Sequence, residues 1–106
     1  MDQSARKVRP VLDPTSRPFL PRHVKLRFDK VRERWVILAP ERVLVPDDVS
    51  VEVLQLCDGA RSIQDVVDVL AQKFAADPDL IMTDCIALLQ DLADKGFLLN
   101  ASEIKP

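Results

Sequence analysis

From Val24 the chain alternates strictly, with Val24, Leu26 and Phe28 on one side and Lys25, Arg27 and Asp29 on the other. That period of two predicts a half-exposed strand. The polar stretch from Lys30 to Arg34 leads into Trp35-Val36-Ile37-Leu38, apolar on both faces and therefore expected as the middle strand of a small sheet. Pro40 stops it. Val43-Leu44-Val45, bounded by Pro40 and Pro46, is expected as a short edge strand, because proline cannot donate to a ladder.

The period then changes to 3.6. Asp47 or Asp48 caps a first helix with Val49, Val53, Leu54 and Cys57 inward, ended by Asp58-Gly59. Ser62 and Asp65 resemble a capping box, and Ile63, Val66, Val67, Leu70 and Phe74 follow at helical spacing. A third helix runs from Pro78 to Lys95, with Asp77 as cap, Pro78 at the first position and Gly96 as the left-handed stop. Ile81, Cys85, Leu88 and Leu92 form one stripe on it, and Met82, Ile86, Leu89 and Ala93 form a second. Together they span an arc of about 160°, wider than the roughly 100° of a core-facing surface helix. The excess needs a cover. Phe97-Leu98-Leu99 reads as a short extended return.

Three strands followed by three helices, with a tight glycine turn between the first two helices, predict an α+β fold. The expected architecture is winged helix-turn-helix-like, a three-stranded antiparallel sheet followed by three helices. Residues 1–21 hold Pro10, Pro14, Pro18 and Pro21 without either period, and are expected as a disordered tail or linker. The domain is then expected over 22–99, with 100–106 a C-terminal tail.

A chain of 106 residues suits one small domain. No apolar run approaches the roughly 20 residues of a bilayer span, and no signal core follows the N-terminus, so a cytoplasmic protein without a membrane partner is expected. Cys57 and Cys85 are isolated thiols and His23 is the only histidine, which argues against a disulfide scaffold or a zinc site. Both cysteines are expected as small buried hydrophobes.

No Gly-rich phosphate loop and no nucleophile beside a base is present, so no enzyme, no catalytic residue and no cofactor are expected. Residues 1–42 carry a net charge of +6 and residues 43–106 a net of −8. A helix-turn-helix order raises nucleic-acid binding, which would make the chain a winged-helix DNA-binding transcriptional regulator. Against that alternative, the third helix carries Asp79, Asp84, Asp91 and Asp94 and a single base, Lys95. Such a surface repels phosphates. Peptide binding is the other reading. The edge Val43, Leu44 and Val45 offers unpaired backbone, and Met82, Ile86 and Leu89 offer a wall for an apolar groove. Alternatively, the N-terminal arm folds back over those helix residues, or they complete a small core. The residues themselves leave these open.

The runs LPRHVKLRFD, RWVILAPERVLVPDDV, EVLQLCDGARSIQDVVDVL and ALLQDLADKGFL resemble the PqqD family of pyrroloquinoline quinone (PQQ) biosynthesis from about Arg17 to Leu99. Trp35 with Leu38-Ala39-Pro40-Glu41, Leu56-Cys57-Asp58-Gly59, and Leu89 to Gly96 carry the resemblance jointly. Pro46 departs from the pattern and shortens the edge strand. The resemblance implies a non-catalytic peptide chaperone that binds the ribosomal precursor PqqA and presents it to PqqE, a radical S-adenosylmethionine enzyme that links a glutamate to a tyrosine. It implies a leader held between the third strand and third helix, hence at Val43, Leu44, Val45, Met82, Ile86 and Leu89. It also allows residues 1–21 to be the remnant of a fusion linker. Independently of the resemblance, the short edge strand and the exposed apolar stripe lead us to expect a monomer in which strand exchange into a dimer is a concentration-dependent artefact.

Overall fold

Alternation and helical period produce the elements where the sequence calls for them. A computed structural model describes residues 11–103. Its elements are β1 (Pro18–Phe19), β2 (Lys25–Asp29), β3 (Arg34–Ala39), β4 (Arg42–Leu44), α1 (Asp48–Gln55), α2 (Ile63–Phe74), α3 (Pro78–Asp94), β5 (Leu99–Asn100) and a closing 3-10 turn, Ala101–Glu103. The antiparallel sheet has the order β2-β3-β4, with the doubly apolar strand in the middle. Its register pairs Leu26 with Ile37 and Ile37 with Leu44, and these three side chains face the core. On the other face Lys25, Leu38 and Val43 stand in a row, all exposed.

The helix ends follow from identifiable hydrogen bonds. The Asp47 carboxylate accepts from the Ser50 amide, and Ser62 and Asp65 close a reciprocal capping box. At the far end of α3 the Phe97 amide donates to the Leu92 carbonyl (2.9 Å) and the Gly96 amide to that of Ala93 (3.0 Å). With Gly96 at φ 85°, that is a Schellman stop. The core lies between the sheet and the three helices, with Val53, Ile63, Val66, Val67, Leu89 and Leu98 at its centre. Val49 departs from its expected inward position and is 67% exposed, while Ser50 and Val51 turn inward instead.

The expectation of a tail through residue 21 is corrected from Leu12 onward, and residues 1–10 lie outside the described residues. Leu12, Ser16 and Pro18 are buried. The carbonyls of Ser16 and Pro14 accept from the first amides of α2, Ile63 (2.8 Å) and Gln64 (3.0 Å). These donors have no partner inside the helix. The arm then pairs antiparallel with β5, so Asn100 is not tail either: its side-chain oxygen accepts from the Arg17 amide (2.9 Å) and from Ser102. Residues 104–106 lie outside the described residues. A proline-rich segment has no ladder period to betray it, yet its carbonyls remain full acceptors.

Both cysteines are free and buried in the core. Burial pushes the Cys57 thiol up to about 12, with smaller contributions from Cys85 and Asp58, and pushes Cys85 up to about 11, with Asp84 adding to it. Both are therefore neutral at pH 7 and poor nucleophiles.

Two outcomes are expected. Asn100→Ala strands the part-buried Arg17 amide and should lower unfolding stability by about 1–3 kcal/mol in urea titrations. The pH dependence has a definite sign. The folded chain keeps its thiols protonated to a higher pH than the unfolded chain, where a thiol ionises near about 8.5. This stabilisation is complete below that pH and fades as pH climbs toward the folded values. The chain has no tyrosine to mask the effect. Urea midpoints should fall from about pH 9 upward, and a Cys57→Ala/Cys85→Ala double variant should show a shallower fall.

Candidate functional site

The furrow beside β4 arises because a three-residue strand cannot cover the length of a helix. The turn at Pro40 and Glu41, with Glu41 at φ 62°, has the sign pattern of a type II turn and brings β4 back along β3. The Arg42 guanidinium lies 4.7 Å from the centre of the Phe97 ring, tying β4 to the chain just after α3. Between β4 and the C-terminal half of α3 runs a cleft of about 210 Å³. Ile37, Leu44, Val45 and Pro46 form one wall, Leu88, Asp91, Leu92 and Lys95 the other, and Ser50 and Leu54 of α1 the floor.

The outer margin of β4 has no strand beside it among the described residues. A two-residue turn makes Ala39 and Arg42 the hydrogen-bonded pair, so the N–H and C=O of Val43 point away from β3. Pro46 supplies no donor beyond Val45. The margin is open but short. Its charges sit at the rim: Lys95 pairs with Asp91 at 2.9 Å on exposed ground, and Asp47 is held below the usual carboxylate range by the amide and hydroxyl of Ser50.

A second pocket, about 170 Å³, opens where α1, α2 and α3 meet. Val49, Val53, Phe74, Ile81, Cys85 and Leu88 give it an apolar lining, and Glu52 and Asp84 also line it. Leu88 belongs to both cavities.

Of the residues singled out from the sequence, Leu44 and Val45 line the furrow. Val43 is 61% exposed with its side chain on the opposite sheet face, so only its backbone borders the open margin. Met82 and Ile86 are half-buried against the core and Leu89 is fully buried, and none of the three lines either cavity. The arm reaches α3 on their flank: the Leu12 amide donates to the Gln90 side chain (2.9 Å), one turn beyond Ile86. The stripe turned toward the furrow is the other one, at Leu88 and Leu92. Periodicity yields two stripes but not the rotation of the helix, and nothing local distinguishes them. The one usable signal is the Asp91/Lys95 spacing, an i,i+4 ion pair that marks a wet rim. Among the described residues no group of three or more metal-ligating side chains gathers, and no helix is long and apolar enough to cross a membrane.

Comparison with known proteins bears on the same segment. Residues 34–98 match the family described as Coenzyme PQQ synthesis protein D (PqqD), which takes in the sheet from β3 onward and all three helices. A PqqA binding protein from Rhodopseudomonas palustris strain BisB5 is 67% identical over 91 residues, covering 86% of this chain and 89% of the relative. The bifunctional coenzyme PQQ synthesis protein C/D of Methylorubrum extorquens is 46% identical over 81 residues, which are 76% of this chain and 22% of that longer protein. Among solved structures, the PqqD truncation of Methylobacterium extorquens PqqCD, described as a functional, stand-alone recognition element for ribosomally synthesised, post-translationally modified peptides, superposes with a TM-score of 0.73. It shares 42% identity and covers 83% of this chain and 94% of its own. Fold, sequence and extent agree, and the chain belongs to the PqqD family.

Proposed function

We propose that this protein binds the ribosomal precursor peptide PqqA as a strand added to the open margin of β4, and presents it to the radical S-adenosylmethionine enzyme PqqE. In this reading it takes no catalytic step, works in the cytoplasm where the precursor is made, and uses a winged-helix-like platform in which β4 is the wing. The observation that carries it is an unpaired strand margin lying directly beside a furrow where Leu44, Val45, Leu88 and Leu92 meet a polar rim of Asp91 and Lys95. Relatives named for PqqA binding support the identity of the guest.

The margin is short, which decides where affinity comes from. Each ladder hydrogen bond contributes about 0.5–1.5 kcal/mol net, and micromolar affinity needs roughly 8 kcal/mol. Two or three bonds cannot supply that. Side chains inserted beside Leu44, Leu88 and Leu92 at about 1.5–3 kcal/mol each must provide the larger share. The same open margin allows two copies to pair through β4 at high concentration, whereas the working form is the monomer.

Val45→Asp and Leu44→Asp should weaken PqqA binding by about 10–100-fold, followed by calorimetry and by amide shifts of labelled protein, with the spectrum of the free Val45→Asp protein otherwise retained. Wild-type affinity in both variants would remove the furrow as the binding site. Val45 is half exposed, so its variant isolates binding from folding. Presentation is tested separately. With PqqA well below saturation, wild-type protein should raise the rate of PqqE-catalysed cross-linking, by lowering the entropic cost of positioning a flexible peptide. Val45→Asp should lose most of that gain. An equal rate with and without the protein would exclude the presenting role.

A further inference from the structure

Two large apolar side chains stand exposed although both were expected to face inward. Val49 is 67% and Phe74 is 54% exposed, and each lines the second pocket, between α1, α2 and α3. They are exposed because the space in front of them is empty. We propose that this pocket is an anchor site for one large aliphatic or aromatic side chain of the same guest peptide, lying about three residues beyond the part paired with β4. The inference rests on the furrow being the peptide site.

Size supports a side chain. An apolar cavity of about 150 Å³ takes up benzene. The pocket, at about 170 Å³, is of that class. Continuity supports the same guest. Leu88 lines both cavities, and on α1 the pocket residues Val49 and Val53 are each followed by a furrow residue, Ser50 and Leu54. A chain lying in the furrow reaches the pocket along α3 by way of Leu88.

Spacing follows from helix geometry. On α3 the furrow is lined from Leu88 to Lys95 and the pocket from Ile81 to Leu88, so their centres are about seven residues apart, or about 10 Å at 1.5 Å per residue. An extended chain covers that in about three residues. Charge adds a preference. Glu52 is engaged by Lys73 at 2.8 Å, whereas Asp84 makes no ion pair among the described residues. A lysine or arginine next to the anchor residue meets Asp84.

The test uses the full protein and synthetic PqqA, by calorimetry and by amide shifts of labelled protein. Val49→Asp and Phe74→Ser alter exposed side chains that lie outside the furrow lining. Each should weaken binding by about tenfold or more, with the shifts at Ile81 and Cys85 reduced and those at Val43 retained at saturation. An alanine scan of the apolar residues of PqqA gives a reading independent of protein folding. One alanine, about three positions outside the paired segment, should abolish the shifts at Ile81 and Cys85 alone. Wild-type affinity in both pocket variants, or a scan in which no single alanine does so, overturns the anchor. If Val45→Asp still weakens binding in that case, the furrow stands without it. Wild-type affinity in Val45→Asp and Leu44→Asp instead removes furrow and anchor together.

Discussion

The rotation of α3 about its own axis is the constraint on which the rest of the site depends. The helix carries two apolar stripes, and both feed the core, through Cys85 and Leu92 on one and Leu89 and Ala93 on the other. Leu89, wholly buried, and Gln90, which accepts the Leu12 amide, hold the second stripe toward the core and the N-terminal arm. The Schellman stop at Gly96 then directs Phe97 under Arg42. With both ends held, Leu88 and Leu92 face β4 and α1, and the furrow has its wall. A rotation of about 100°, one residue step, would carry Leu88 away from β4 and draw Leu89 out of the core.

What was legible in the chain was the local part. The alternation from Val24, the doubly apolar Trp35–Leu38 run and the capping residues Asp47, Ser62 and Asp77 all gave elements that the structure contains. Non-local contacts were not legible. The arm at residues 11–21 is held by α2 amides that donate to its carbonyls and by Asn100, none of which leaves a periodic trace. The arm meets α3 at Gln90 beside the second stripe, and Leu89 on that stripe completes the core, alternatives that the residues by themselves left open. Val49 and Phe74 fall at helical positions that a longer or wider core would bury, but in a chain of this size the core ends before reaching them.

The edge strand shows why a short ladder suits recognition of a flexible peptide. Backbone hydrogen bonds are the same for every sequence, so a long ladder would bind strands indiscriminately. With Val43 the one residue whose backbone pair points outward within β4, and Pro46 ending the donors, the margin orients a guest without holding it unaided. In the proposed reading, discrimination is left to the side chains of the cavities beside it.

Charge separation in the sequence becomes separation in space. Lys25, Arg27 and Arg34 share the outer face of the sheet by register, while Asp84 and Asp91 sit along the cavities on α3. A nucleic acid read by α3, the last of the three helices, would bring phosphates against those carboxylates, with no counterion release to compensate. Lys25, Arg27 and Arg34 stand away from that helix, on a sheet face beside the exposed Leu38 and Val43. The helix that would have been a reading head is instead one wall of a cleft, and its acidic rim favours a guest that carries cations among its apolar residues.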